Sequence, residues 1–363
     1  MCANHGEMHA VVATHGHCFD GLCSAVVFTR LLRELVARKP RGPEVSFRYH
    51  ACGYAPTQRP LGELLTGDLN AILDYRFCAT EQLHWYFDHH RTAFSSSQDR
   101  AFFDARLDVK PFHYDASYSS CTKLVRDIAE QRYGVSMPEL EPLTRWADKI
   151  DSAAFESAEA ALDSSHPVMR LASIVELHGD SAFLARLVPR LLEFPLETIA
   201  DRSEYRSLHA KIRRRKAAFA RRVRKSAHAL ERVVLVDLSE SEVESYGKFV
   251  TYALYPEAMY SVILARLENG ARINVGYNPW SRRSLDRDLS SICGRYGGGG
   301  HPFVGGICFP AEDVQRARHV AREIALELDA QFPPQFPPEF TPELPVQLPS
   351  ELTARSSAEL PAE

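Results

Sequence analysis

Residues 83–93 read Leu-His-Trp-Tyr-Phe-Asp-His-His-Arg-Thr-Ala. The largely apolar run Leu83–Phe87 stops abruptly at Asp88-His89-His90. A run of that length bounded by polar residues predicts a buried strand. Three side chains able to hold a metal then stand where the strand ends. In open α/β sheets, ligands gather at the carboxyl ends of strands, so the triplet marks a candidate site. A lone histidine there is usually a hydrogen-bonded bystander, and a triplet arises by chance less readily.

The same pattern recurs upstream. His9–Thr14 is a β-branched run, predicted as a first strand, and leads into His15-Gly16-His17-Cys18-Phe19-Asp20-Gly21. Leu22–Val36 carries apolar residues at helical spacing. Val45–Ala51 is a second strand, Leu61–Leu65 a short helix, and Asn70–Leu73 a third strand ending at Asp74. Ala79–His84 is expected to make one or two helical turns. Strands alternating with helices predict a mostly parallel sheet flanked by helices. Three strands of this half end in a His or an Asp, and parallel strand ends converge on one crevice.

Ser117–Tyr133 is a further predicted helix. Leu140–Ala158 is another, holding Asp148 and Asp151 amid apolar residues. Carboxylates rarely go inside unless paired or bound to metal; the plainer reading is a solvated face with a Lys149–Asp pair. Val168–Leu230 is expected to be a helical connector containing the basic block Lys211–Lys225, either a solvated face or a surface for an acidic partner. Arg232–Leu238 opens a second, smaller α/β domain. Ser261–Leu267 and Arg272–Val275 are strands paired through Glu268-Asn269-Gly270-Ala271, since Asn-Gly is a hairpin signal. A basic loop, Arg282–Arg287, precedes Gly297–Gly300 and His301. Four glycines permit close backbone approach, and their amides can cradle an anion. Val304–Phe309 is a strand and Ala311–Leu328 a closing helix. From Gln331 the chain repeats apolar-Pro units, which predicts a disordered or polyproline tail. The expected divisions are 1–160, 161–230, 231–330 and 331–363.

A chain of 363 residues suffices for two domains. A net charge of -4 argues against adhesion to long nucleic acid but allows a short oligonucleotide in a local basic pocket. Eight scattered cysteines without a CxxC pair suit reduced thiols in a cytoplasmic protein. No apolar window is long enough to span a membrane, and the first residues lack a secretory signal.

The segments HGHCFDGLCSA, LDYRF, FDHHRTA, WADKIDSAAF and GRYGGGGHPFVGG stand in the order and spacing of the DHH phosphoesterase superfamily. Residues 9–330 resemble it, with a C-terminal half similar to its DHH-associated substrate-binding domain. The resemblance implies hydrolysis of phosphoesters in a cleft between the domains, with one or two Mn2+ ions, or Mg2+. It implies His15, Asp20, Asp74, His89 and Asp151 as metal ligands, Asp74 bridging, with Asp148 second to Asp151. Asp88 would support His89, and His90 would lie close to the phosphate; His89, His90 and Asp74 form the catalytic set. Arg282, Arg295, Gly298, Gly299, Gly300 and His301, together with His90, would grip the substrate. One position departs from the family pattern. Cys18 replaces the usual aspartate of the first motif, and sulfur is a poor match for manganese. His17 is the alternative ligand there.

The leading expectation is a phosphodiesterase acting on short oligonucleotides in the manner of nano-RNases. A cyclic nucleotide or cyclic dinucleotide is the other substrate class, since the same phosphate site serves both. A nucleotide-binding regulatory protein with a degenerate metal site, and a nucleic-acid-binding protein using Lys211–Lys225, are the remaining readings. A homodimer is compatible with the sequence, and the tail names no partner.

Overall fold

The computed structural model describes residues 6–40, 42–53, 59–243, 249–267 and 270–330, with His301 described by its backbone alone. The expected tail and the Glu268-Asn269 turn lie outside the described residues. By contacts the chain forms two compact units. Among the described residues, one takes the chain up to Ala154 and Ser164–His209, and the other Phe155–Asp163 and the chain from Ala210.

The first unit is built on β1 (Glu7–His15), β2 (Glu44–Cys52), β3 (Leu69–Leu73), β4 (Trp85–Asp88) and β5 (Phe112–Tyr114). All pair in parallel in the order β2-β1-β3-β4-β5. Strands covered on both faces read as unbroken apolar runs, and β4 is buried at every position. The helices are α1 (Phe19–Ala37), α2 (Leu61–Leu64), α3 (Ser97–Asp104), α4 (Cys121–Tyr133) and α5 (Glu141–Asp151). The chain then passes through α6 (Ala158–Leu162) of the second unit and returns for α7 (Pro167–His178), α8 (Ser181–Glu193) and α9 (Leu196–Ala200). Phe77 centres the aromatic core, with Tyr86, Phe112 and Phe103 edge-on at 4.9, 5.5 and 5.6 Å. Because β1 has β2 on one side and β3 on the other, strand order reverses at β1. Ligand sites of open α/β sheets form at such a reversal.

The helix α10 (Ser203–Ser226) runs into the second unit. There β6 (Ala227–Ala229), β7 (Val233–Glu242), β8 (Tyr260–Leu267), β9 (Gly270–Tyr277), β10 (Gly299–His301) and β11 (Val304–Phe309) form a sheet ordered β10-β11-β9-β8-β7-β6. Only β7 and β8 pair in parallel. The unit also holds α11 (Val250–Leu254), α12 (Leu289–Gly294) and α13 (Val314–Asp329). Ala317, Ala321, Ile324 and Leu328 of α13 share a core with Val262, Leu264, Ile273 and Val275. The architecture is the expected one, an α/β parallel-sheet unit followed by a smaller mixed-sheet α/β unit.

Several local expectations are corrected. Ala79–His84 is not helical, because its polar groups bond to β3. The His84 N–H donates to the Asn70 carbonyl at 2.9 Å, and Asn70 Nδ2 donates to the Gln82 carbonyl at 3.0 Å. The helix expected from Ser117 begins at Cys121, since Asp115 Oδ1 takes the Ser117 N–H at 2.9 Å in a local turn and Ser120 caps the helix. The helix expected over Leu140–Ala158 stops at Asp151. Val168–Leu230 is broken at Gly179 and Pro195 and ends in β6. Among the described residues no helix is long and apolar enough to cross a membrane.

Candidate metal centre

The carboxyl ends of β1, β3 and β4 supply the centre. His15 closes β1, Asp74 follows β3, and Asp88 closes β4. The Asp74 N–H donates to the Phe87 carbonyl at 2.9 Å, tying the two strand ends together. Among the described residues, the non-glycine positions with positive φ are His17 (57°), Asp74 (54°) and Ala153 (47°). Each is a candidate ligand or stands two residues from one. Backbone held in this sparsely populated region clusters at functional sites. Gly21 is needed for close approach, since a Cβ there would lie 2.4 Å from the His15 carbonyl oxygen.

The DHH triplet divides its labour. Asp88, fully buried, is spent on hydrogen bonds. Its Oδ1 lies 2.5 Å from His90 Nδ1 and accepts the His89 N–H at 2.9 Å, while Oδ2 accepts from Tyr86 at 3.0 Å. Asp88 therefore orients His90. His89 Nδ1 lies 3.0 Å from the Tyr118 carbonyl, which can only accept, so Nδ1 carries the hydrogen. Its Nε2 then faces Asp151 Oδ2 at 3.4 Å, Asp74 Oδ1 at 3.6 Å and Asp20 Oδ2 at 3.9 Å. A proton or a cation must sit among these groups.

Electrostatics agree. Burial, then repulsion from Asp20, raises the Asp74 carboxyl to about 8. Burial opposes charge on His89, yet Asp74, Asp151 and Asp20 lift its ring well above the ordinary value. His90, against the same burial, is raised by Asp88 and Asp74 to about 9.

Asp20 belongs to the centre and to a helix at once. Its Oδ2 accepts the Cys121 N–H at 2.7 Å and its Oδ1 the Thr122 N–H at 3.0 Å, at the start of α4. Asp151 is buried at the end of α5. Asp148 instead accepts from Ser119 at 2.5 Å and Ser120 at 3.0 Å, fastening α5 to the segment before α4.

Among the described residues, three groups of donor atoms emerge, the atoms of each within 4.8 Å of one another: His15, Cys18 and Asp74; Asp74, His89 and His90; Asp20, His89 and Asp151. Asp74 and His89 each belong to two groups. Both Asp74 oxygens are buried and accept no hydrogen bond. Buried polar atoms are almost always bonded, and carboxylates crowded at 0–4% exposure need a positive partner. These residues fit divalent cations. Carboxylate and imidazole donors suit Mn2+ or Mg2+. His17 is in none of the groups; its N–H donates to the Gly179 carbonyl at 3.0 Å and burial lowers its ring's pKa.

The remaining sequence-derived candidates lie in the second unit. Gly299, Gly300 and His301 are β10, paired with Gly306, Gly305 and Val304. A Cβ on Gly300 would lie 2.2 Å from the Val304 carbonyl oxygen, so this glycine serves close strand packing. The Gly297 and Gly298 amides, expected to cradle an anion, donate to the Gly294 and Cys293 carbonyls. Arg282 is exposed, and Arg295 is paired with Glu327. Among the described residues, the buried cations of this unit are Arg232, Arg272 and Arg287, which sequence reasoning does not single out. It also misses the Tyr118 carbonyl and the α4 amides, for which no side chain gives a signal.

No family model matches the chain, and no curated protein sequence does. Solved structures do. A pGpG-specific phosphodiesterase, PggH from Vibrio cholerae, is 20% identical with a TM-score of 0.61, over 88% of this chain and 99% of that one. The DHH domain of a protein described as a member of a ribosomal-protein family is 14% identical with a TM-score of 0.57, over 89% and 88%. RecJ from Thermus thermophilus, in complex with Mn2+, is 14% identical with a TM-score of 0.53, over 90% of this chain and 53% of that one. The fold is that of the DHH-domain proteins, as the sequence resemblance implies.

Proposed function

We propose that this chain is a phosphoesterase of the DHH kind, a divalent-metal-dependent phosphodiesterase that cleaves short linear oligonucleotides down to the dinucleotide. One observation carries the metal dependence: the Asp74 carboxylate, fully buried, accepts no hydrogen bond and shares its surroundings with Asp20, Asp151 and His89. The likeness to a pGpG-specific enzyme supports a dinucleotide as the smallest substrate.

Asp20, Asp74, His89, Asp151 and His15 would hold the cations. When bound, such cations supply Lewis acidity and a water of lowered pKa. The α4 amides fix the Asp20 carboxylate, and the Tyr118 carbonyl fixes the His89 ring. His90, oriented by Asp88, donates a hydrogen bond to the phosphate. Water and phosphodiester give a phosphomonoester and a sugar hydroxyl. The water oxygen bonds to phosphorus as the P–O bond to the leaving sugar breaks, and one water proton ends on that sugar oxygen.

The test is one panel. The purified protein is given Mn2+, Mg2+ or chelator and offered pGpG, short RNA, a cyclic dinucleotide, a cyclic mononucleotide and phosphoadenosine phosphate. The expected result is metal-dependent turnover of pGpG and short RNA, abolished by chelator. Preferred turnover of a cyclic substrate would move the substrate class. Nucleotide binding without turnover under any metal would overturn the enzyme reading in favour of a regulatory one, which Cys18 alone favours.

A further inference from the structure

The ligand groups of the centre described above are of two chemical kinds, with and without sulfur, and the difference is Cys18. We propose that His15, Cys18 and Asp74 form a thiolate-containing subsite that selects a thiophilic divalent cation, zinc, while Asp20, His89 and Asp151 take a hard one. The proposal rests on the metal-centre reading and assigns a separate preference to one half of it.

The geometry is specific. A Cys18 sulfur, a His15 ring nitrogen and an Asp74 oxygen all lie within 4.8 Å of one another. Donors sharing one tetrahedral zinc, at bonds of about 2.0–2.3 Å, lie within that limit of one another. His15 and Asp74 are 3% and 0% exposed, and neither Asp74 oxygen is engaged by a hydrogen bond. Asp74 therefore keeps acceptor capacity that no protein donor fills, beside the sulfur. Cys18 occupies the N-cap position of α1. Burial, then Asp74, Asp151 and Asp20, push the Cys18 thiol well above its ordinary value in the metal-free protein, and a cation at the sulfur reverses that.

Donor chemistry decides the preference. Sulfur, imidazole and carboxylate together are a zinc set. Oxygen and imidazole without sulfur suit manganese and magnesium. Zinc also exceeds manganese in intrinsic affinity for nitrogen and sulfur. On binding, the Cys18 thiol gives its proton to solvent and the sulfur lone pair goes to the cation. No oxidant or reductant is involved.

The experiment is a titration of the full chain with Co2+, read optically. Wild type should develop a near-ultraviolet sulfur-to-cobalt charge-transfer band, missing from Cys18→Ser and Cys18→Asp. One equivalent of Zn2+ should erase the band, and equimolar Mn2+ should leave it. By calorimetry, Cys18→Ser should bind the first zinc at least about tenfold more weakly. Cys18→Asp should shift the preference toward Mn2+. Melting curves check that the variants fold, and Cys18→Ser is the near-isosteric control should Cys18→Asp fail. Cobalt binding without the band, or a band that survives Cys18→Ser, overturns the inference and leaves the metal centre standing. No cobalt binding at all, in a folded protein, brings down the centre itself.

Discussion

The two units bury opposite charges. In the first, Asp20, Asp74, Asp88 and Asp151 are inside, with no buried lysine or arginine among the described residues. In the second, Arg232, Arg272 and Arg287 are inside, with no buried acid among the described residues. Burial alone does not make a site, and the partners of Arg232 and Asp74 tell those two residues apart. Arg232 is neutralised within its own unit: its guanidinium meets Asp286, and its N–H donates to Asp329 at 2.7 Å. Asp88 is likewise satisfied. Asp74 is not. A satisfied buried charge is architecture; an unsatisfied one, beside like charges, is a place for a ligand.

Asp74→Asn should break this contrast most deeply. It should lose metal, measured by mass spectrometry, and on the order of a thousandfold in turnover, about 4 kcal/mol of barrier. The same variant reads the repulsion. With Asp74 raised to about 8, the metal-free protein loses stability as pH rises from about 4 to about 8, because the unfolded carboxyl ionises first. In chelator at pH 8, Asp74→Asn should therefore be more stable than wild type in urea titration. Near-normal turnover would remove Asp74 from the centre.

The mirror experiment in the second unit is Arg232→Met. It strands Asp286 and should cost about 3 kcal/mol by chemical denaturation. Metal content should not change. Loss of metal in this variant would mean that Arg232 is more than architecture.

The mildest effect is acidic. Every described histidine whose pKa is lowered, namely His17, His50, His84 and His113, lies in the first unit. Burial, then Arg132, lowers His113 to about 4, and its ring sits 4.8 Å from that of Phe87. Its contribution to stability is complete above the unfolded value near 6.5 and fades as pH falls toward about 4. At pH 5 it should cost about 2 kcal/mol. His113→Phe should flatten that slope in melts followed between pH 7 and pH 5. An unchanged slope would mean that the ring is protonated without penalty.

Much of this is legible in the letters, for physical reasons. Strands β1, β3 and β4 are covered on both faces, so they read as apolar runs, and their ends read as a site because His15, Asp74 and Asp88 interrupt those runs. Strand β11 matches its expected span, Val304–Phe309. By contrast β5 is three residues long and too short to show a period. Surface and buried arginines look alike in a string, so the letters favour Arg282 and Arg295 over Arg232, Arg272 and Arg287. The partners that fix Asp20 and His89 are backbone atoms, which no letter encodes.

The path of the chain between the units limits how this protein can be divided or recombined. The last candidate ligand, Asp151, is in place before the chain first leaves for the second unit at Phe155. The wall behind the first loop comes only after its return at Ser164. The Gly179 carbonyl holds the His17 N–H at 3.0 Å, and the Ser181 hydroxyl accepts the Ala51 N–H at 2.9 Å. A fragment ending at Ala154 would thus spell the whole ligand set and lack the residues that brace it. Among the described residues, exchanging one unit for that of a relative needs matched junctions at three points along the chain.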